Sequence, residues 1–319
     1  MCEIRIAEYK KDDRDACIKL LKHSFPGNSD EATFKWRFES KMEHDPILIC
    51  AKANDKVIGF ISYLPWEFYY DTQKLLGYQG GELAIDENYR GKGIASKIFN
   101  FGNNLVLNKG VDFLFSFPRA KSQSASVHWK CGYIPIGNFY TRLRIINPII
   151  KKNKIEISID VNFEKYWMNE KNRITPFFTS NYYDWRYIQN PKEYSIIKFS
   201  SNNNEAFFIL RNRQFKKIYA NKSVNFMMLI DCQFTTFNDQ FIHDALKYLD
   251  SVIADRALFL TTFCNWETDK GKAILKYFRI PVKSRSEMLC LKPNINKSNF
   301  TMLYNYKNWE LFPHLKDEY

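Results

Sequence analysis

The spacing of apolar residues divides the first half of the chain into strands and helices. "EIRIAEY" alternates apolar and polar positions and predicts a strand, and "KDDRDACIKLLKHSF" then places its apolar residues at roughly helical spacing. Pro26 and Gly27 close that helix. "ILICAKANDKVIGFISYLP" predicts two strands joined by a turn at Asn54 and Asp55.

The next stretch predicts further strands and two helices. "WEFYYDTQKLLGYQGGELAID" predicts a third strand, a turn and a fourth strand that ends near Ile85. A helix is predicted from about Gly93 to Asn108, and "SASVHWKCGY" predicts a shorter helix stopped by Gly132. "VDFLFSF" is apolar throughout, as in a strand buried on both faces, and "TRLRIIN" predicts a last strand before Pro148. The order β-α-β-β-β-α-β-α-β predicts an α/β domain built on a mixed sheet.

Three landmarks of the first half recur in the second half, in the same order. "FKWRF" is echoed by "YDWRY", "VDFLFSF" by "RALFLTTF", and "CGYIP" by "YFRIP". The distance from Trp36 to Pro135 is 99 residues, and the distance from Trp185 to Pro281 is 96. Matched landmarks at nearly equal spacing predict a duplicated domain.

The repeat sets the predicted domain organisation. One domain covers residues 1–148 and a second covers 149–319, with a linker near 147–154, where proline and lysine interrupt the apolar pattern. The pairs Trp36-Arg37 and Trp185-Arg186 recur at matched places. Recurrence across a duplicated fold favours a scaffold role for these pairs over a role in catalysis.

Composition narrows the class of protein. Hydrophobic residues make up 45% of the chain, with 27 Phe and 19 Tyr, so a substantial core can form, and this composition disfavours intrinsic disorder. The net charge of +12 favours anionic partners such as nucleotides, nucleotide sugars, RNA or a membrane surface. The cations are spread in pairs with no block of five or six, which favours a diffuse basic surface.

Cysteine usage and the apolar runs bear on location. The seven cysteines are scattered and form no C-x-x-C pair, so we expect reduced, buried thiols and no metal site. The chain is charged from its third residue, which does not fit a signal peptide. Its longest apolar runs, such as "FMMLI", are far too short to span a membrane. These features predict a soluble, cytoplasmic protein.

A short turn concentrates glycine and positive charge. The stretch "ENYRGKGIASKIF" contains two of the 12 glycines of the chain, and it lies between an apolar strand and a helix. The first amides of a helix and the positive end of its dipole form a site for a pyrophosphate, and glycine lets a ligand approach the backbone. Neither a P-loop nor a G-x-G-x-x-G fingerprint is present. The alternative interpretation is an ordinary β-to-α connection. The second half reads "TTFNDQF" at the matching place, without glycine, so only the first half is predicted to bind phosphates.

The segment "LAIDENYRGKGIASKIF" resembles the acetyl-CoA-binding segment of the GCN5-related N-acetyltransferase (GNAT) superfamily. The signature R/Q-x-x-G-x-G/A is met by Arg90, Gly93 and Ala95. The opening strand and helix, the hairpin "VIGFISYLP" and the late helix "HWKCGY" also resemble this family. The second half resembles a GNAT domain that has lost its cofactor turn. The resemblance implies two GNAT-like mixed-sheet domains and an acyltransferase that uses acetyl-CoA and no metal.

The resemblance also implies which residues bind the cofactor. A strand backbone pairs with the pantetheine arm, and the amides of the glycine turn hold the pyrophosphate, with positive charge added beside them. The implied cofactor residues are Leu83, Ala84, Ile85, Arg90, Gly91, Lys92, Gly93, Ile94, Ala95 and Ser96.

Acetyl transfer to an amine needs a base for the ammonium proton and an acid for the departing thiolate. Glu82, on the fourth strand, is the first choice for the base, ahead of Glu67 and Asp86. Asp86 fits better as a residue that shapes the turn.

The acid departs from the family pattern. Many GNAT enzymes place a tyrosine four residues before the glycine of the late helix, and this chain has His128 there. A histidine titrates near neutrality and is able to protonate a thiolate, while Tyr133 and Tyr140 remain alternatives. Cys131, beside that glycine, suggests a covalent intermediate in which the thiol carries the acetyl group. No His-Asp arrangement in the sequence supports this intermediate, so a buried, unreactive thiol is the favoured interpretation.

The resemblance implies an N-acetyltransferase that acts by direct attack in a ternary complex on a small-molecule primary amine. The tandem arrangement looks like acetyltransferases of bacterial surface-polysaccharide and amino-sugar biosynthesis, so the amine is expected on an amino sugar or a nucleotide-linked amino sugar. Two alternatives are a Fem-like aminoacyl-tRNA-dependent peptidyl transferase and a non-catalytic acyl-CoA-binding module. Nucleic acid is not the expected partner because no basic helical stretch stands out. A homodimer is left open.

Overall fold

The computed structural model describes residues 3–27, 29–40, 42–119, 122–146, 172–177, 179–216, 223–297 and 301–315. The predicted linker, 147–154, lies outside these ranges, and the division at 148 stays a prediction. The elements of the first half are β1 (Ile4–Glu8), α1 (Arg14–Ser24), α2 (Glu31–Phe34), β2 (Ile47–Ala53), β3 (Lys56–Tyr70), β4 (Gln73–Ile85), α3 (Ile94–Asn108), β5 (Phe113–Ser116), α4 (Gln123–Lys130) and β6 (Ile134–Ile145). Those of the second half are β7 (Ile174–Pro176), α5 (Ser180–Tyr183), β8 (Ser195–Ser201), β9 (Asn204–Lys216), β10 (Ser223–Phe234), α6 (Asp239–Ile253), β11 (Phe259–Thr262), α7 (Asp269–Leu275) and β12 (Ile280–Pro293).

The predicted elements of the first half are present, with one difference. "WEFYY" is no separate strand, because β3 runs on through Pro65, which lies opposite Tyr78 of β4. Proline lacks an amide proton and is tolerated where one side of a strand has no ladder partner. Pairing with β2 ends at Tyr63, and pairing with β7 begins at Phe68, so Pro65 falls in the gap between them.

The twelve strands of the described residues join one sheet, in which the two halves share strands. The order is β1-β2-β3-β4-β5-β12-β6-β11-β10-β9-β8, with β7 paired to β3. From β8 to β12 the second half repeats the element order that the first half has from β2 to β6. Strand β12 lies between β5 and β6 and is antiparallel to both, while β6 pairs with β11. Each half therefore borrows the last strand of the other.

Helices cover both faces of the sheet in the first half. Cys17 and Leu21 of α1 pack with Phe60 and Phe115 on one face. Ile98 of α3 belongs to the apolar cluster on the other face. In the second half, α6 packs its apolar side on β9, β10 and β11. No helix in the described ranges is long and apolar enough to cross a membrane.

The parallel pairs at the centre of each half separate early. Strand β4 pairs with β5 only from Gly77 to Gln79, although β4 continues to Ile85. Strand β10 likewise pairs with β11 only from Phe226 to Met228. Each half thus has an opening between two neighbouring parallel strands, and each opening is bordered by a β-bulge on the longer strand.

Candidate active site

The turn between β4 and α3 exposes the start of a long helix. Gly91 has φ +75° and Gly93 has φ +74°, and among the described residues no atom beyond each glycine and its chain neighbours lies within 4 Å of the position that a Cβ would take. Positive φ favours glycine, so the conformation accounts for both residues. Gly93 is the N-cap of α3 and offers no side chain to its amides, and the first turn has no acidic residue. The first amides of the helix therefore face open space, as anion binding requires.

Side chains of the turn bind back to its own backbone. Asp86 accepts a hydrogen bond from the amide of Asn88 at 3.0 Å, which is the shaping role that the sequence predicted for it. Arg90 Nε donates to the carbonyl of Ile85 at 3.0 Å, and Lys92 Nζ donates to the carbonyl of Asn88 at 3.0 Å. These contacts fix the turn and keep both cations next to the exposed amides.

Beyond Gln79, strand β4 offers a backbone edge to the opening. Ala84 and Ile85 pair with β3 on one side, and the opposite side has lost its β5 partner. At the vertex of the opening, the hydroxyl of Ser116 donates to the carbonyl of Gly80 at 3.1 Å. The segment that contains Leu83, Ala84 and Ile85 is thus available for an extended, amide-bearing ligand to pair with.

At the matching turn of the second half, the first amides of the helix are occupied by a capping side chain. Asn238 is the N-cap of α6, and its side chain accepts from the amides of Gln240 at 3.0 Å and Phe241 at 3.1 Å. Asp239 adds a negative charge to the first turn. The amides that would bind an anion are already satisfied, and the adjacent charge repels one.

The opening of the second half is filled by its own side chains. Lys270, from α7, is buried and reaches Gln233 of β10 at 3.3 Å. It also lies 3.4 Å from Glu310 and 4.7 Å from the ring centre of Phe312, both in the C-terminal segment. The second opening is therefore packed with a buried lysine and an aromatic ring.

Glu82 is buried in the β4 bulge and held by two partners. Its φ is +50°, an unfavourable value for a residue with a side chain. One carboxylate oxygen accepts from the hydroxyl of Ser62 at 2.5 Å, and the other forms an ion pair with Arg37. All three side chains are buried. A buried carboxylate persists in its charged form only where a cation and hydrogen bonds compensate for lost water, and both are present here.

A small cavity runs from the surface to Glu82. Asp30 is exposed and Ser29 is half-buried, whereas Arg37 and Glu82 are buried, so the cavity leads from solvent toward the sheet. Its mouth is polar and its floor carries one cation and one anion. The remaining lining residues are Ile18, Leu21, Thr33, Phe34 and Phe38.

His128 is buried on the opposite face of the sheet, against α3. Its Nδ1 lies 2.7 Å from the carbonyl of Ser124, which can only accept, so Nδ1 carries the proton in the neutral ring. Its Nε2 has no hydrogen-bond partner among the described residues. Burial lowers the pKa of His128, so the ring is neutral at pH 7, and in this tautomer Nε2 is an acceptor.

The alternative tyrosines differ in position. The hydroxyl of Tyr133 lies 3.6 Å from the position that a Cβ would take at Gly80, at the vertex of the opening, and donates to Asn103 Oδ1 at 3.1 Å. Burial raises the pKa of Tyr133 well above its ordinary value, so the phenol keeps its proton. Tyr140 is 47% exposed and lies further along β6, where that strand pairs with β12.

The remaining candidates have structural contacts. Cys131 is buried, and burial raises the pKa of its thiol, which disfavours the thiolate that a covalent intermediate needs. The six cysteines in the described ranges are free and buried, as predicted. Glu67 contacts His44 at 2.9 Å and Lys74 at 2.5 Å. Glu67, His44 and Lys74 therefore form a salt-bridge network, which gives Glu67 a structural role.

The sequence does not mark two residues of the site, Arg37 and Ser62, as functional. The signal for Arg37 is the Trp-Arg repeat, which by itself favours a scaffold role. Ser62 gave no signal, because a serine within a strand is common and its contact with Glu82 depends on how β3 and β4 pair.

Comparison with known proteins bears on these features. The sequence profile described as "Acetyltransferase (GNAT) family" matches residues 14–133. No curated protein matches the chain in sequence. Among solved structures, a GCN5-related N-acetyltransferase from Anabaena variabilis aligns with a TM-score of 0.61 at 12% identity, over 92% of this chain and 73% of its own. N-myristoyltransferase from Saccharomyces cerevisiae, solved with bound myristoyl-CoA, aligns with a TM-score of 0.64 at 10% identity, over 98% of this chain and 86% of its own.

At such low identities the structural likeness establishes a shared fold. The profile covers the elements from α1 to Tyr133, including the glycine turn and the opening beside β4. Residues 14–133 therefore match the acetyltransferase (GNAT) family, and the chain shares its fold with the solved acyltransferase structures.

Proposed function

We propose that this protein is an N-acetyltransferase that moves the acetyl group of acetyl-CoA to the primary amine of a small molecule. The observation that carries the proposal is the uncapped glycine turn next to the open edge of β4, in the domain that matches the family. The bound myristoyl-CoA of the yeast structure supports an acyl-CoA as co-substrate in a chain of this fold. The match to an acetyltransferase family supports acetyl as the acyl group.

The cofactor would be held by backbone more than by side chains. Leu83, Ala84 and Ile85 would pair with the pantetheine arm along the open edge. The positive charges of Arg90 and Lys92 would lie beside the pyrophosphate. The amides that bind the pyrophosphate would come from Gly91, Lys92, Gly93, Ile94, Ala95 and Ser96.

Glu82 would act as the base. Its carboxylate takes a proton from the ammonium group of the acceptor, and the freed nitrogen lone pair attacks the thioester carbonyl carbon. A backbone amide of β4 would stabilise the oxyanion, since the strand edge is not paired there. When the intermediate collapses, the C–S bond breaks and the sulfur leaves with the electron pair. The attacking nitrogen loses its second proton in this step, and that proton replaces the one that the sulfur takes up.

The leaving sulfur then needs a proton or a hydrogen bond. Tyr133 is placed at the vertex of the opening and keeps its proton at neutral pH, which supports it as the donor. His128 would fill this role only after its ring gained a proton, and burial opposes that step. We therefore rank Tyr133 first and keep His128 as the alternative.

The acceptor would enter through the cavity that ends at Glu82. The polar side chains of Ser29 and Asp30 line its outer part and suit an acceptor that carries hydroxyl groups next to its amine. An amino sugar or a nucleotide-linked amino sugar has this chemistry. The net charge of +12 suits the phosphates of the nucleotide-linked form.

A thiol-release assay tests the proposal. The wild type is mixed with acetyl-CoA and each of a panel of amino sugars, nucleotide-linked amino sugars, polyamines and amino acids. We expect amine-dependent release of free CoA with at least one amino sugar, and a loss of kcat of about 100-fold or more in Glu82→Gln. Unchanged turnover in Glu82→Gln would remove this residue as the base.

One observation favours a different class of function. Both carboxylate oxygens of Glu82 already have a partner, as in a structural ion pair of a non-catalytic acyl-CoA-binding module. Such a module would bind acetyl-CoA in a calorimeter yet release no thiol with any amine of the panel. A wild type that does not bind acetyl-CoA would contradict both functions.

A further inference from the structure

Two tryptophans, one from each half, bind one another reciprocally. The indole of Trp36 donates to the backbone carbonyl of Trp185 at 2.6 Å, and the indole of Trp185 donates to the carbonyl of Trp36 at 3.0 Å. Their rings are stacked, with centroids 5.1 Å apart and planes at 17°. We call this pair the tryptophan clasp. Each tryptophan lies in a π-helical turn, Lys35–Glu39 and Asp184–Ile188, so the clasp has approximate two-fold symmetry.

An arginine follows each tryptophan of the clasp, and the two arginines have different partners. Both side chains are buried, and their guanidinium carbons lie 5.4 Å (Arg37) and 5.6 Å (Arg186) from the ring centre of Trp36. Arg37 pairs with Glu82, whereas Arg186 donates to the backbone carbonyl of His314 at 2.6 Å. The same position therefore contacts a carboxylate in the first half, and in the second half its contacts include a peptide group.

The charged groups that surround Glu82 come from several elements. In the cavity, Arg37 is the cation, and Asp30, at the start of α2, is the other carboxylate. Asp30 is exposed at the mouth and caps the amide of Thr33 at 2.8 Å. Ser62, from β3, supplies a neutral hydroxyl, and Arg186 lies beyond the Trp36 ring. Arg37 is thus the cation in direct contact with the buried carboxylate.

We propose that Arg37 is a positioning residue that holds Glu82 ionised and in place, and that the second half keeps Arg37 there through the tryptophan clasp. The inference rests on the proposed role of Glu82 as the base. It gives the second half a catalytic purpose although that half lacks a cofactor turn. The carbonyl of Trp36 belongs to the peptide that leads into Arg37, so its bond to Trp185 restrains the backbone that carries the guanidinium.

The sign of the effect follows from charge. Burial favours the neutral carboxylic acid, and a contacting cation favours the carboxylate. A carboxylic acid cannot take the ammonium proton. Removing Arg37 while leaving Glu82 buried should therefore raise the pH at which the carboxyl gains its proton. The acidic limb of the pH–activity profile should shift to higher pH by the same cause.

Paired arginine variants test the role of Arg37. In Arg37→Met, we expect the midpoint of the acidic limb of kcat/KM to rise by about one pH unit or more, and in Arg37→Lys by less, because the charge is retained without the fork geometry. The matched control is Arg186→Met, which removes an equally buried guanidinium next to the same ring and should leave the midpoint unchanged. Equal shifts in both Met variants, or none in Arg37→Met, would overturn the proposal. If the Met variants do not fold, Arg37→Lys and Arg186→Lys give the same comparison.

Paired tryptophan variants test the clasp. Trp185→Phe keeps a ring but removes the indole donor, and we expect its midpoint to shift in the same direction as that of Arg37→Met, by a smaller amount. Trp309→Phe is the control, because it removes another buried indole that donates to a backbone carbonyl, that of Leu303 at 2.9 Å. Shifts of the same size in the two variants would show that the clasp has no special connection to Glu82.

A direct titration separates this inference from the proposed function. Glutamate labelled with carbon-13 at Cδ reports each carboxyl by NMR, and the signal of Glu82 is the one missing from Glu82→Gln. The midpoint of this signal should rise in Arg37→Met and not in Arg186→Met, whether or not an acceptor is known. If the Glu82 midpoint rises in Arg37→Met as expected but no amine releases thiol, the result contradicts the proposed function alone. A signal that titrates identically in wild type and Arg37→Met would contradict the positioning role alone.

Discussion

The two halves use the same strand-to-helix connection in opposite ways. After β4, the helix begins at Gly93, whose lack of a side chain leaves the first amides open. After β10, the helix begins at Asn238, whose side chain occupies the equivalent amides. The fold is similar in both places, and the residue at the N-cap decides whether an anion from outside finds unsatisfied donors.

The openings between the parallel strands differ in the same sense. Beside β4 the backbone edge is unpaired beyond Gln79, whereas beside β10 Lys270 crosses to Gln233 and Phe312 packs against it. A half that binds ligand must keep polar backbone groups exposed, and a half that stabilises must satisfy them. The contacts of Lys270 with Gln233 and Phe312 give the second half the features of a stabilising unit.

Substitution of the glycine cap should have the largest effect. Gly93→Trp places a side chain in front of the exposed amides, and we expect acetyl-CoA to bind about 100-fold more weakly or not at all by calorimetry. The control is Gly110→Trp, because Gly110 also has positive φ (+80°) and open space at its Cβ position but lies at the other end of α3. Equal loss of binding in the two variants would mean that the turn is not the pyrophosphate site.

Removal of the hydroxyl should have different kinetic effects at Tyr133 and Tyr63, the two tyrosines that contact Asn103. Tyr133→Phe should lower kcat by about 10- to 100-fold with little change in acetyl-CoA affinity, because the departing sulfur loses its proton donor. Tyr63→Phe removes a hydroxyl that also donates to Asn103 Oδ1, at 3.0 Å, and should affect kcat much less. Steady-state kinetics on both variants decide the point, and equal kinetic effects would contradict the assignment of Tyr133.

The second connection should prove to be structural. Asn238→Ala removes the cap of α6 and should lower the free energy of unfolding by about 1 kcal/mol in urea denaturation. Acetyl-CoA should still bind with one molecule per chain and with unchanged affinity, since the site lies in the other half. A wild-type stoichiometry of two would break the comparison between the halves.

The smallest effect concerns His128 and pH. Because burial lowers the pKa of His128, the unfolded chain takes up a proton near pH 6.5 while the folded chain does not. Above that pH the residue is neutral in both states and contributes nothing to the pH dependence. Below it, wild-type stability should fall by up to about 1.4 kcal/mol per pH unit more than in His128→Phe until the folded pKa is reached. Urea denaturation from pH 7 to pH 5 measures the difference, and parallel curves would contradict it.

Local features of the site were accessible from the sequence. Gly91 and Gly93 could be assigned to a turn before a helix because positive φ and helix capping depend on a few neighbouring residues. The cap at Asn238 is an equally local signal, because an asparagine just before an apolar helix is a common N-cap. The Trp-Arg repeat is visible in the sequence, and its two members lie in equivalent π-helical turns.

By itself, the sequence determined the order of elements in the first half, the position of the glycine turn and the family resemblance. Only the tertiary structure decided that β12 inserts between β5 and β6, and that Arg37 meets Glu82 while Arg186 meets a peptide carbonyl. Hydrophobic periodicity reports which face of a strand is buried, and it carries no information on which distant strand lies alongside. Partners far apart in the chain are chosen by the packing of the whole sheet, so the contacts of Glu82 became visible only when β3, β4 and the two tryptophans were assembled.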